Sequence, residues 1–566
     1  LVLDARPATG LRRFVTVGDR QAHYRRAGSG APVVLLHAPP LSSRSLSALI
    51  AAVASDATAL AIDLPGYGSS DPLAVAEPQI ADYAHTLVAT LDALGVEHFA
   101  LYGAEVGALV ALELAASQPG RVSHLVLDRP PVWTDAERIE LAERLLPAYA
   151  PQADGSHLLR MWMRHRDEYI FSPWYRQERL SRRDVDMPDA DELHQEFLDL
   201  LRAGVGYGAA HAAAFRYEDV RRRLAAVEAR VMVVACEGDE FATHLERLEG
   251  ARADAIRLLP RETDHWAEVA RQLTGPTEVS DAKPDPASRH IPGRLTKDYA
   301  DTSFGQILLR RAGWENSSAV PLIMFHGGYS SGAWYEQLVA LMARHRPVAI
   351  LDTLGNGDSD KNTFLDAQAG DYAQVVAEVI EGLGCSRVNL FGSHGGAVMA
   401  VETSILLPGL VGRVILDGLP MFSPEMIAYR MEEYLEPFQA RSDGGHLPWA
   451  WSYVRDAGLY WPATRRKRDA IRLVDVLDVE TLHQHVIDVL KAGITYSAFY
   501  RLALSYDARE RLPLLTPPTL VCATAQDQLW QYVEEESNLV QQGVARTLPL
   551  ELEGRADIFE EFLRSA

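Results

Sequence analysis

The chain has 566 residues, a length that allows two to four domains. It is 48% hydrophobic and 23% charged, which fits a folded globular protein and excludes wholesale disorder, collagen-like repeats and coiled coil. The 77 Asp and Glu against 55 Lys and Arg give a net charge of −22, which argues against nucleic acid or an anionic membrane surface as a partner.

Residues 1–14, LVLDARPATGLRRF, lack a basic start followed by an apolar run and do not read as a secretory signal. PVVLLH (32–37) and TALAID (58–63) are short, wholly apolar runs, the pattern of strands covered on both faces. FALYG (99–103) is a third such run and leads into a small-residue helix from Glu105 to Gln118. Glu105 and Glu113 interrupt this most apolar part of the chain, so it reads as a packed helix and not a membrane span. HLVLD (124–128) and VMVVAC (231–236) are further strands. The Arg- and aromatic-rich helical segment between them, about 135–225, is predicted to form a cap over the strand ends. Strands alternating with helices imply an α/β fold with a mostly parallel sheet, and ligands bind beyond the carboxyl ends of such strands. His37, Asp63, Glu105, Asp128 and Asp239 stand at those ends. Three cysteines (Cys236, Cys385, Cys522) build no disulfide framework or CxxC metal site, which points to a reducing, cytoplasmic setting.

The whole order then recurs. LLHAPPLSS (35–43) returns as MFHGGYSSG (324–332), and DLPGYGSSD (63–71) as DTLGNGDSD (352–360). LYGAEVGA (101–108) returns as LFGSHGGA (390–397), LVLDRPP (125–131) as VILDGLP (414–420), and DGSHL (154–158) as DGGHL (443–447). These pairs share a constant offset of 289, which convergence would not hold fixed. We therefore read domain 1 at 1–275 (cap about 135–225), a Pro-, Ser- and charge-rich linker at 276–294, and domain 2 at 295–566 (cap about 424–512).

Each half resembles an α/β-hydrolase-fold protein with a helical cap. HAPPLSS and HGGYSSG resemble the family's oxyanion loop, and DLPGYGSSD its D-x-P-G-x-G-x-S loop. GAEVG (103–107) and GSHGG (392–396) resemble the G-x-nucleophile-x-G elbow, a strained strand-to-helix turn that exposes one side chain. The family usually places Ser there, sometimes Asp or Cys; this chain has Glu105 and His394. Ser393 sits one position early, where its side chain should point elsewhere. The resemblance places the family's acid and base at Asp239 and His265 in domain 1. In domain 2 it places the acid at Asp527, and Gly554 stands where the base would be.

Two hypotheses follow for domain 1. Glu105 could be a nucleophile whose ester is hydrolysed by His265-activated water, as the family's dehalogenases and epoxide hydrolases use Asp. It could instead be a general acid or base with a raised pKa, which suits a lyase, decarboxylase or isomerase. Val106 stands where dehalogenases have a halide-binding Trp, which disfavours dehalogenation, and an epoxide hydrolase would need cap tyrosines such as Tyr169, Tyr175 or Tyr207. In domain 2, His394 beside Asp527 could be an oriented base. Ala38, Val106, Gly327 and Gly395 are the expected oxyanion and substrate contacts.

His157 and His446 either point into the pockets or are hydrogen-bonded helix-start residues, with Asp154 and Asp443 as caps. Asp128 and Asp417 could supply a triad acid, but by default each caps the next turn. LHQHV puts two histidines at i and i+2, off one helix face, so no metal is expected, and no cofactor. The Trp-rich caps (Trp162, Trp174, Trp449, Trp451, Trp461) point to a small, partly apolar substrate. The reading is a cofactor-free hydrolase or C–C lyase acting on an ester, carbonyl or activated C–C bond, with no nucleic-acid or membrane partner and a homo-oligomer left open. The alternative is a catalytically silent ligand-binding or scaffold protein.

Overall fold

A computed structural model describes residues 10–147, 149–217, 220–275, 279–286, 288–315, 318–361, 367–433, 438–461 and 463–564. The start of the 1–14 segment, parts of the 276–294 stretch and short pieces of both caps lie outside these residues. The chain forms two compact units, one made mostly of residues before His290 and the other mostly of His290 onward.

The first unit holds eight strands: β1 (Leu11–Val17), β2 (Arg20–Ala27), β3 (Pro32–Leu36), β4 (Thr58–Ile62), β5 (Phe99–Ala104), β6 (Val122–Asp128), β7 (Arg230–Cys236) and β8 (Ala255–Leu259). They form one sheet in the order β1-β2-β4-β3-β5-β6-β7-β8. The β1–β2 and β2–β4 pairs are antiparallel, and the rest of the sheet is parallel. The strands read from apolar runs lie in the middle. There side chains alternate between two buried layers: Val34 and Leu36 on one face, Val33 and Leu35 on the other. Burying each such side chain contributes about 1.5–3 kcal/mol.

The second unit repeats this with β9 (Thr296–Thr302), β10 (Gly305–Ala312), β11 (Leu322–Phe325), β12 (Val348–Leu351), β13 (Val388–Ser393), β14 (Val411–Asp417), β15 (Thr519–Thr524) and β16 (Gly543–Leu548). Its order, β9-β10-β12-β11-β13-β14-β15-β16, is the same topology. Each unit inserts helices before its seventh strand. These include Asp135–Arg144, Ser156–Ile170 and Ala190–Ala203 in the first, and Pro424–Glu433, His446–Leu459 and Val479–Ala492 in the second. Part of the stretch read as a linker is tied to the first unit: Tyr24 donates its hydroxyl to Asp285 (2.8 Å), and Arg26 donates to the same carboxylate (2.9 Å).

Two of the strand-end residues hold loops in place. The His37 ring accepts from the Leu64 N–H through Nε2 (2.9 Å). Asp63 is buried and accepts from the Ser43 N–H (2.7 Å) and the Ser69 N–H (2.8 Å), with His23 Nδ1 at 2.7 Å. Burial alone would raise the Asp63 pKa, but these partners hold it far below the usual carboxylate range. Asp352 does the same work in the second unit, with Arg310 in place of His23.

Candidate active site

In domain 1 the chain turns from β5 into the helix Val106–Ser117 through Glu105, which has φ 50° and ψ −118°. The left-handed φ costs a non-glycine residue energy, so the surroundings must enforce it. The flanking glycines allow it: a Cβ on Gly103 would lie 2.4 Å from the Gly107 carbonyl oxygen, and one on Gly107 2.3 Å from that of His37. The turn presents Glu105, 26% exposed, to a cavity of about 570 Å³ that Ala38 and Val106 also line. The N–H of Val106, at the helix start, has no acceptor within its own helix.

Glu105, Asp239 and His265 do not form one relay. Arg129, just past β6 and itself at φ 52°, lies 3.0 Å from Glu105 Oε1, 3.5 Å from Asp128 Oδ1 and 3.6 Å from Asp239 Oδ2. His265 Nε2 meets Asp128 Oδ2 at 2.9 Å, and its Nδ1 lies 3.3 Å from Cys236 Sγ. Tyr102 also donates to Asp128 (2.6 Å). Asp128 is therefore the buried partner of His265 and not a turn cap, a position that strand-end spacing could not distinguish from Asp239. Burial pushes the Glu105 pKa up to about 7 although Arg129 pulls it down. Burial pushes on Asp128 as well, but Arg129 and His265 outweigh it and the pKa is lowered.

The charged side chains in the rest of this cavity are internally matched. Arg164 meets Glu168 (2.8 Å), Arg183 meets Glu240 (3.4 Å), Arg247 meets Glu137 (2.6 Å) and Arg176 meets Glu140. His165 lies 3.1 Å from Glu196, and its pKa rises to about 9 because its two glutamates outweigh burial. Tyr169 donates to Glu196 (2.7 Å) and Tyr175 to Glu140 (3.2 Å), while Tyr207 donates to the Pro147 carbonyl. His157 does not line the cavity: it is buried and accepts from the Gln152 N–H (3.0 Å). Its helix is capped by Gly155, and Asp154 accepts from the Ser156 N–H. Trp174 lines the cavity, and Trp162 is buried.

In domain 2 the same bend carries His394 at φ 51° and ψ −116°. A Cβ on Gly392 would lie 2.2 Å from the Gly396 oxygen, and one on Gly396 2.4 Å from that of Phe325. His394 Nε2 lies 3.0 Å from Asp527 Oδ2, and its Nδ1 3.0 Å from Ser393 Oγ. Ser393 thus faces the ring and lines the cavity, where the alternation of β13 led us to expect it to point away. The Tyr335 hydroxyl meets Ser393 and the Gly327 backbone. Burial works against charge on His394, but Asp527 outweighs it and the pKa is raised. Asp527 is held down at about 2 by His394 in spite of burial. Asp417 is pushed up to about 6, by burial first and then by Asp527. It lines the cavity.

The cavity here is about 430 Å³, with Gly327 and Gly395 at its floor and Tyr329, Tyr500, Phe422 and Trp461 among its walls. Gly418 (φ 70°) stands where domain 1 has Arg129, so no guanidinium separates the elbow from its acid. Arg430, Arg472 and Arg555 line the wall instead. His446 is buried against Phe438 and does not line the cavity, its helix is capped by Gly445, and Asp443 pairs with Arg441. Trp449 stacks on Tyr453 and Trp451 is buried. Arg129 was visible in the sequence as the difference between LDR and LDG; Ser393, Arg472 and Arg555 left no such signal. Among the described residues no three His, Cys, Asp or Glu side chains are grouped to hold a metal ion, and no helix is long and apolar enough to cross a membrane.

The family model described as alpha/beta hydrolase fold matches residues 31–267 and again 320–542. The chain is 33% identical over 108 residues to (E)-2-((N-methylformamido)methylene)succinate hydrolase of Acinetobacter baylyi, covering 19% of this chain and 40% of that protein. It is 32% identical over 136 residues to fluoroacetate dehalogenase of a Burkholderia species, covering 23% and 44%. It is 33% identical over 152 residues to haloalkane dehalogenase of Bradyrhizobium diazoefficiens, covering 25% and 47%. The chain thus spans less than half the length of each of these relatives. A solved hydrolase structure from Pseudomonas aeruginosa matches at 17% identity and a TM-score of 0.38, covering 48% of this chain and 99% of that one.

Proposed function

This chain belongs to the alpha/beta hydrolase fold family in both halves, and we propose that domain 2 carries its chemistry, with His394 as the proton-transfer residue of a hydrolase or C–C lyase. The observation that supports this is the elbow imidazole held from both sides, by Asp527 on Nε2 and by Ser393 on Nδ1, each at 3.0 Å. With Nε2–H given to Asp527, the Nδ1 lone pair faces the Ser393 hydroxyl and takes a proton through it. Water adds to a carbonyl carbon as the Ser393 oxygen takes its proton and passes its own to His394. The oxygen that gains charge faces the Gly395 N–H at the helix start, and His394 returns the proton to the leaving alkoxide or enolate. An ester, or a C–C bond next to a carbonyl, meets these requirements. Ser393, which lines the cavity, is the relay between water and the imidazole in this scheme. Two of the relatives above are named as dehalogenases and one as a succinate-derivative hydrolase, which supports water as the second reactant.

A second reading keeps domain 1 active, with Glu105 as a general acid or base; its pKa of about 7 favours this. The ion pair with Arg129 argues against Glu105 as a nucleophile, since attack would give up that contact. Assays of H394A and E105Q on aryl esters, lactones and β-keto acids separate the two. Loss of about 10²–10⁴-fold is expected in H394A. Full activity in H394A together with its loss in E105Q would move the chemistry to domain 1, and full activity in both would end the catalytic proposal.

A further inference from the structure

The two cavities keep their charge differently. Burying a guanidinium is costly unless a partner compensates it. Each guanidinium lining the domain 1 cavity has a carboxylate within salt-bridge distance. In domain 2, Arg472 donates to the Ala457 carbonyl (3.2 Å), and Arg555 donates to those of Pro549 (2.9 Å) and Leu550 (3.1 Å). Among the described residues neither has a carboxylate within that distance. Arg430, 2% exposed, is fixed over Phe422 (3.7 Å) and Trp461 (4.4 Å). Against these stand Asp417 and Asp527, and Asp527 is taken by His394. Two guanidiniums of this wall are thus held by backbone carbonyls, where those of the domain 1 cavity are held by carboxylates.

We propose that the domain 2 cavity takes a substrate that carries a carboxylate on an aromatic or apolar body, the carboxylate being received by Arg472 and Arg555. This rests on the reading of domain 2 as the working half and names the substrate class of that site. The aromatic walls receive the body of the ligand, and the two guanidiniums supply the charge-assisted bonds that a neutral analogue lacks. Their positive charge also draws the anion in, at a rate that falls with salt.

The test is calorimetric titration of the full chain with benzoate and with the size-matched neutral benzamide. Benzoate is expected to bind about ten- to a hundredfold more tightly, with the preference shrinking as salt is added. R472M and the double variant R472M/R555M should lower benzoate affinity and leave benzamide unchanged. R472K/R555K should keep the preference, and R261M, on the surface of domain 1, should behave as the parent. Unfolding curves of each variant identify any that fail to fold, and R472M alone, which gives up a single hydrogen bond to backbone, then decides. Equal affinity for the two ligands, no binding of either, or a preference that survives R472M/R555M would overturn the proposal. Binding is read without turnover, so inactivity of His394 leaves this result standing. Turnover lost in H394A alongside equal binding of benzoate and benzamide would sink the carboxylate assignment alone.

Discussion

At their elbows the two halves share a backbone and differ in nearly everything attached to it. Glu105 and His394 sit at φ 50° and 51°, each clamped by two glycines whose α-carbons press on neighbouring carbonyls. Yet one half places Arg129 among three carboxylates and the other has Gly418 at that position. One gives its late histidine to Asp128, and the other has Gly554 and brings its elbow imidazole to Asp527. The fold maintains the bend, and three side-chain positions decide what the bend can do.

The comparison can be pressed hardest at the glycines. G107A and G396A should each cost more than about 3 kcal/mol in denaturant unfolding, because the added methyl meets backbone that cannot turn aside. If one were tolerated, the two bends would not be equivalent. Next in size is R129M, expected to cost about 2–4 kcal/mol, since it strands Glu105, Asp128 and Asp239 together. The loss should grow from pH 5 to pH 8 as those carboxylates ionise without their counter-ion. The reciprocal G418R should pair with Asp417 and Asp527 and abolish turnover in domain 2 while leaving the unfolding of domain 1 unchanged.

E105Q acts in the opposite direction. The folded pKa of Glu105, about 7, lies above its ordinary value, so the folded state holds this proton more tightly and parent stability falls as pH rises between the two. Glutamine has no proton to lose, and E105Q should gain about 2 kcal/mol on the parent between pH 5 and pH 8. Smaller again is the shift in the pH–rate profile of D527N. Asp527 raises the pKa of His394, so the rising limb that reports the neutral imidazole should move to lower pH in the variant. A profile that stays in place would mean that His394 is not the titrating group.

Much of this architecture was legible in the sequence. Apolar runs located the buried central strands, and the fixed offset showed the duplication. The edge hairpins escaped because a strand such as RQAHYRRA buries every other residue or fewer and carries three arginines. β8, with only one of the five residues of AIRLL buried, escaped for the same reason. At the sites, glycine spacing located the residue at each bend, because only glycine fits where backbones nearly touch. Partnerships were not legible: several strands end in carboxylates at one sheet edge, and sequence order does not say which of them His265 approaches. The cap histidines could be read either way, because an identical D-G-x-H-L context fits a pocket residue or a shared helix start; His157 binds backbone at the helix start.

The clamp at each elbow is built from neighbours, so the residue it displays is free to change. A point mutation at position 105 or 394 exchanges the displayed group without rebuilding the junction beneath it. Two such sockets in one polypeptide let an acid and an imidazole stand at matching places on the same backbone.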